Sequence, residues 1–494
     1  MAVNLAVEEA VPRERRLGSI TGYTGTLKDL ATKGCQGCLK NKEREFTTES
    51  FCSHMHTLNQ LSGIRDTVVI DHSPVGCSAS QVEFNEAAVS GARHEGLPGE
   101  NFHQISTNII ETDTVFGAVE KVRAAIQLGY DRYHPKQIFV VQSCVACIIG
   151  EDLDGLIDEM SQELGIPIGY TPSPGFKSRV WASGFDGYNH VVGRTLIKEK
   201  SEKNNTINYI GFMPIGKDYL EGLFKELGYD MICLTGGASA EDFQKATGSV
   251  ASFGQCGAQS SYMCGLLEKH YGVKYFQSHL PYGGIGLERF FREIADYVGK
   301  SEQAEEIIKR EREKYHAKVE ELKSKLSGKK VFIALGASFA YEYTRMCKEL
   351  GMDVLHTVAY HYDPKVDNNS DDKIAAAVDV EELGMDVPTS VSDVQMVEQL
   401  ITLKNNWPDI VIGRAHSITA WAAQLGLPSV ETKVGLRVVG YPGLIDLGER
   451  LVRQLKNTNF EKKLRERYVS PFTNYYENLA PFSMFAEGGK KHGN

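Results

Sequence analysis

Short runs of β-branched and aromatic residues recur along the chain, and each is followed by an amphipathic stretch of helical period. TVVIDHSPVGC, KQIFVVQSCVACIIG, INYIGFMPIG, KKVFIALGASF and PDIVIGRAHS read as buried strands that end in a loop. Stretches such as DTVFGAVEKVRAAIQLGY and DYLEGLFKELGYD read as the helices between them. Strands this apolar are covered on both faces, which requires mainly parallel sheets built from βαβ units. The expected fold class is α/β with Rossmann-like domains.

At 494 residues the chain is too long for one ordinary domain and long enough for three. The first block, 1–203, closes at the polar stretch SEKNN. The second, 204–327, runs from INYIGFMPIG to the charged stretch EQAEEIIKREREKYHAKVEELKSKLSG. Mixed charge makes that stretch a solvated helix crossing between domains, not a nucleic-acid site. The third block, 328–494, starts at KKVFIALG and ends in a tail rich in aromatics. A net charge of −10 and a pI near 5.8 argue against nucleic acid or an anionic membrane as the main partner. No apolar stretch follows a basic start, and no window approaches the length of a bilayer span. A cytoplasmic location is expected.

Ten cysteines in a reducing compartment need a reason other than disulfides. Ligands of open α/β sheets lie beyond the carboxyl ends of the strands, so residues there weigh most. Cys77 follows TVVIDHSPVG, Cys144 follows IFVVQS, and Cys256 follows VASFGQ. Gly76 lets the backbone approach a bulky ligand, and Pro74 stiffens the turn. A thiolate in such a loop, followed by Ser78, Ala79 and Ser80, suits an iron–sulfur cluster held against backbone amides. A buried cysteine in an ordinary strand-to-helix turn is the alternative. Two CxxC pairs, Cys35/Cys38 and Cys144/Cys147, invite a zinc reading, but they differ in context and lie far apart in the chain. Redox use of Cys144/Cys147 fits poorly, because the second cysteine faces an apolar run. His279, His361 and His416 lie after expected strands, and for each a structural role is the default. No phosphate-binding motif for ATP or NAD is present.

At these residues the sequence resembles the α subunit of nitrogenase component 1. Cys52, Cys77 in HSPVGC and Cys144 in the segment leading to GED match the order and spacing of that subunit's three bridging-cluster thiolates. CGAQSSYMCGLLEKHYGVKY, beginning at Cys256, matches the helix whose opening cysteine ligates one end of the active-site cofactor. The likeness continues through VFIALGAS and PDIVIG to QLGLPSVE.

The resemblance implies three Rossmann-like domains around a central metallocluster cavity. It implies a P-cluster-like 8Fe-7S cluster shared with a homologous β-type subunit in an α2β2 assembly. Cys52, Cys77 and Cys144 are its metal ligands in this chain, and Cys256 anchors a second iron–sulfur cofactor. An ATP-dependent 4Fe-4S iron protein supplies the electrons, which accounts for the missing nucleotide motif.

Departures from the family pattern narrow the reading. Lys433 stands where a histidine ligates molybdenum, Ser417 or its neighbour stands for a lysine, and Gly336–Tyr341 contains no basic residue. These losses argue against a heterometal cofactor carrying homocitrate, and for an iron-only cofactor without molybdenum or vanadium. Gly336, Phe339 and Tyr341 are the expected cofactor-lining residues, and Lys433, His416 and His361 the expected catalytic groups. The pattern is similar to the nitrogenase-like methylthio-alkane reductases, which release methanethiol and a hydrocarbon. A cofactor-maturation scaffold, or another nitrogenase-like reductase acting on nitrogen or a tetrapyrrole, is the alternative. Cys35, Cys38 and Cys147 receive no role from the resemblance.

Overall fold

The computed structural model describes residues 3–33, 52–79, 81–94, 99–211, 215–277, 280–367, 380, 382–392, 396–414, 418–432 and 438–478. Cys35, Cys38, His279, His416 and Lys433 lie outside the described residues. The chain forms two compact units, Met1–Arg16 with Phe51–Gln277, and Leu17–Ser50 with Ser278–Asn494.

Strand β1 (Gly22–Thr26) belongs to the second unit. The first unit opens its sheets with β2 (Thr67–His72), β3 (Gln104–Ser106), β4 (Gln137–Gln142) and β5 (Ile168–Pro172). These pair in parallel in the order β3-β2-β4-β5. Side chains alternate between two covered faces. Val68, Ile70, Ile138 and Val140 pack with Val122 and Ile126 on one side. Val69, Phe139 and Val141 pack with Leu58, Leu61 and Val192 on the other. Burial on both faces is why these runs are apolar without interruption.

A second parallel sheet follows in the same unit, from β6 (Thr206–Ile210), β7 (Asp230–Leu234), β8 (Ala251–Gly254) and β9 (Lys274–Phe276), in the order β7-β6-β8-β9. DTVFGAVEKVRAAIQLGY is two helices, Asp113–Phe116 and Val119–Tyr133, not one. The break is Gly117, whose φ of 85° ends the first of them.

The second unit holds β10 (Lys330–Leu335), β11 (Asp353–Ala359), β12 (Pro388–Ser392), β13 (Ile410–Gly413) and β14 (Ser429–Glu431). Its order is β1-β12-β11-β10-β13-β14, parallel except for the antiparallel edge strand β1. Strand β1, which the sequence groups with the first block, thus joins the last sheet. The charged helix Ser301–Leu326, expected to cross between domains, lies within the second unit. Ala304, Ile307, Ile308, Leu322 and Leu326 form a buried stripe along it, and it packs on helices Gly440–Lys456 and Gly283–Tyr297. Among the described residues no helix is long and apolar enough to cross a membrane.

His356 on β11 is buried, with Nε2 2.9 Å from Ser390 Oγ and its ring stacked on Phe332 at 5.8 Å. Burial pushes its pKa from 6.5 down to about 4. The unfolded chain binds this proton below pH 6.5, whereas the folded chain resists it until about pH 4. Stability present above pH 6.5 is therefore lost as pH falls across that window, by about 3 kcal/mol from this residue. His356→Gln is expected to flatten that part of a pH–stability profile measured by denaturant unfolding. An unchanged slope would contradict it.

Candidate functional site

In the first sheet the strand order reverses between β2 and β4, which opens a crevice beyond their carboxyl ends. Cys77 lies in the short helix Val75–Ala79 after β2, and Cys144 opens the helix Cys144–Ile149 after β4. Cys52 comes from elsewhere, as the extended residue (φ −72°, ψ 168°) that starts helix Ser53–Ser62. Gly184 on helix Ser183–Thr195 lets the two helices meet, because a Cβ there would collide with the Ser53 carbonyl.

Gly175, in the single turn Gly175–Lys177 beyond β5, is where Cys52 and Cys144 come together. Its amide donates to Cys144 Sγ at 3.1 Å. A Cβ on it would stand 2.8 Å from Cys52 Cβ and 3.1 Å from Cys52 Sγ, so only glycine fits without a shift. Cys77 feels both other cysteines. Burial first, then the Asp71 carboxylate, then Cys52 and Cys144, push its thiol up to about 11. Thiols with a backbone amide donating to one of them are the donor chemistry that an iron–sulfur cluster takes.

Beneath the thiols lies a polar network. Asp71 is fully buried, with Oδ1 accepting from His54 Nε2 at 2.9 Å and Oδ2 accepting from the Ser78 hydroxyl. His72 Nδ1 is 2.9 Å from Thr107 Oγ1, and His72 Nε2 is 2.5 Å from Glu151 Oε2. The other Glu151 oxygen accepts from the Ala118 amide. Burial lowers the pKa of His72, and the hydrogen bond to Glu151 opposes that shift. Cys147, expected to face an apolar run, is half-buried and donates to Gln142 Oε1 at 3.3 Å. His72 and Glu151 lie inside the HSPVGC and GED segments, which are the sequence signal for them. Gly175 carried no spacing signal, since β5 and its turn bring it there only in three dimensions.

Cys256 occupies the matching position of the second sheet, whose order reverses between β6 and β8. It follows β8, is 5% exposed, and opens helix Gly257–Tyr271. Its carbonyl accepts from the Ser260 amide at 3.1 Å and the Ser260 hydroxyl at 2.7 Å. One turn of that helix is braced by charge: Arg13 donates to the Ala258 carbonyl and to Asp186 Oδ1 at 2.8 Å, and Arg16 reaches Asp186 Oδ2 at 2.7 Å. Cys256 shares a compact unit with Cys52, Cys77 and Cys144, although the sequence places it in a separate block.

In the second unit the reversal falls between β10 and β13. Gly336 precedes helix Ala337–Glu349, so Phe339 and Tyr341 belong to that helix and not to a loop. Phe339 stacks on Tyr282 at 5.7 Å. Gly336–Tyr341 itself holds no basic residue, but Arg414, just past β13, lays its guanidinium over the Phe339 ring at 5.5 Å. Its position at a strand end in PDIVIGRAHS was the signal for it. His361 is buried past β11, with Nε2 3.3 Å from Asp363 Oδ2. His416 and Lys433, the other expected catalytic residues, are outside the described residues.

Removing Asp186 would strand two buried guanidiniums at the base of the Cys256 helix. Asp186→Ala is expected to lower unfolding stability by about 3–5 kcal/mol. The surface pair Arg123–Glu159 serves as the comparison, at about 1 kcal/mol or less. Equal losses in a denaturant series would refute the distinction.

Residues 52–456 match the family model of nitrogenase component 1 type oxidoreductases. The nitrogenase molybdenum-iron protein alpha chain of Methanococcus maripaludis is 26% identical over 448 residues, covering 85% of this chain and 90% of the relative. The nitrogenase iron-molybdenum cofactor biosynthesis protein NifE of Clostridium pasteurianum is 28% identical over 305 residues, covering 60% of this chain and 65% of the relative. A solved structure of nitrogenase Cp1 at pH 5 shares the fold, with a TM-score of 0.70 at 24% identity over 88% of this chain and 92% of that one. Spanning most of its length, the match makes this chain an α-like member of the nitrogenase component 1 type oxidoreductase family.

Proposed function

We propose that this chain is the catalytic subunit of a nitrogenase-like reductase of methylthio-alkanes. The thioether R–S–CH3 takes up two electrons and two protons, its C–S bond breaks, and R–H and methanethiol leave. The observation that carries this reading is that one chain offers two distinct thiol sites. Cys52 and Cys144 meet at Gly175, Cys77 follows the strand paired with the one before Cys144, and a single buried thiol, Cys256, opens a helix on a different sheet.

Cys52, Cys77 and Cys144 would hold half of a P-cluster-like 8Fe-7S cluster, and Cys256 would anchor an iron-only cofactor. When bound, these groups supply low-potential electrons and a place to accumulate them. The Gly175 amide would donate to the cluster through Cys144. His361, close to Asp363, would deliver protons, with His416 and Lys433 as further donors. Phe339, stacked on Tyr282, favours an apolar thioether over a charged substrate. Arg414 keeps one cation on the face of that ring.

Exposed apolar side chains support a partner subunit. Val75, Ile148 and Phe176 lie on the segments that carry or seat the thiols, and Val115 and Phe116 lie on a helix packed against Cys144–Ile149. Phe116 is 87% exposed and Val115 75%. Apolar surface concentrated around a site marks an interface. A β-type subunit would complete the cluster there in an α2β2 assembly, and an ATP-dependent iron protein would supply the electrons.

A second reading is a cofactor-biosynthesis scaffold, favoured by the similarity to NifE. The deciding experiment supplies the anaerobically purified complex with iron protein, ATP and ethyl methyl sulfide. Methanethiol with ethane is the expected outcome. Transfer of the cofactor to an apo-enzyme without turnover would support the scaffold, and ammonia without methanethiol would refute the substrate. Cys77→Ala is expected to lose iron, whereas Cys256→Ala is expected to abolish methanethiol release and keep the iron held at Cys52, Cys77 and Cys144. Stoichiometric molybdenum or vanadium would overturn the iron-only cofactor.

A further inference from the structure

Asp71 is a fully buried carboxylate tied to two of the thiol-bearing segments at once. It stands near the end of β2, six residues before Cys77. His54 Nε2, on the helix that Cys52 opens, donates to its Oδ1 at 2.9 Å. Ser78, the residue after Cys77, donates to its Oδ2. Neither partner is a permanent cation. Through Ser78 the carboxylate is hydrogen-bonded to the residue next to Cys77. A charge shielded from water is weakly screened, so its influence on a neighbour reaches further than that of a surface acid.

We propose that Asp71 is a positioning residue that lowers the reduction potential of the cluster held by Cys52, Cys77 and Cys144. A fixed negative charge beside Cys77 disfavours the form carrying one more electron. The same carboxylate orients both ligand segments through His54 and Ser78. This inference rests on the reading that the three thiols hold a cluster.

The test is an EPR-monitored redox titration of the anaerobically prepared complex, with iron per chain measured on the same samples. Asp71→Asn removes the charge at nearly constant size, and its midpoint is expected to move positive with iron unchanged. Ser78→Ala keeps the charge but strips a hydrogen bond that disperses it, so its midpoint is expected to move slightly negative. Opposite signs distinguish a charge effect from a structural one, which would move both variants the same way. An unshifted midpoint in fully loaded Asp71→Asn overturns the proposal. If that variant loses iron, Ser78→Ala decides, and a positive or absent shift there is equally fatal. Full iron content in Cys77→Ala would instead refute the cluster assignment on which the inference rests.

Discussion

Each of the three sheets reverses its strand order beside the first of its parallel strands, and the rest of the structure depends on that reversal. Right-handed crossovers place helices on both faces of a parallel sheet. Where successive connections leave in opposite directions, no helix covers the carboxyl ends, and a crevice remains. Cys77 and Cys144 flank this point in the first sheet, and Cys256 follows the corresponding strand of the second. In the second unit Gly336 and Arg414 flank the equivalent point. The chemistry stands where backbone ends converge and space is left.

Holding thiols at such a place requires support from below. The strand ends bring polar groups into the interior, and each must find a partner or cost several kcal/mol. His54 and Ser78 satisfy Asp71, while Thr107 and Glu151 satisfy His72. The Asp186 carboxylate answers two guanidiniums at the base of the Cys256 helix. These networks fix the direction of segments that are too short to hold themselves. Helix Val75–Ala79, for example, buries none of its own side chains and depends on such anchors.

The two thiol sites of the first unit differ in surroundings. The site around Gly175 is bordered by exposed apolar side chains. Cys256 is enclosed by its own unit, in a helix buried from Ala258 to Leu267. One site is bordered by the surface and the other is held inside its unit.

Strand runs, their parallel pairing and three of the four thiols at strand ends were legible in the sequence, because uninterrupted apolar runs and the glycine after a strand are local signals. The family match rested on the same local segments. The sequence also marked Cys52, but only through resemblance, since no strand precedes it. What the sequence left open is set by contacts between distant segments. Gly175 meets Cys52 and Cys144 across more than a hundred residues in one case and about thirty in the other, a relation no local pattern encodes. β1 leaves the first block for the last sheet because an edge strand pairs wherever backbone hydrogen bonds are open. Arg414 reaches Phe339 because β13 and β10 lie side by side. The sequence by itself determined which elements form and where reactive groups stand along them. Only the tertiary structure decided which of those groups meet, because side-chain proximity between remote segments follows from sheet order and register and not from spacing along the chain.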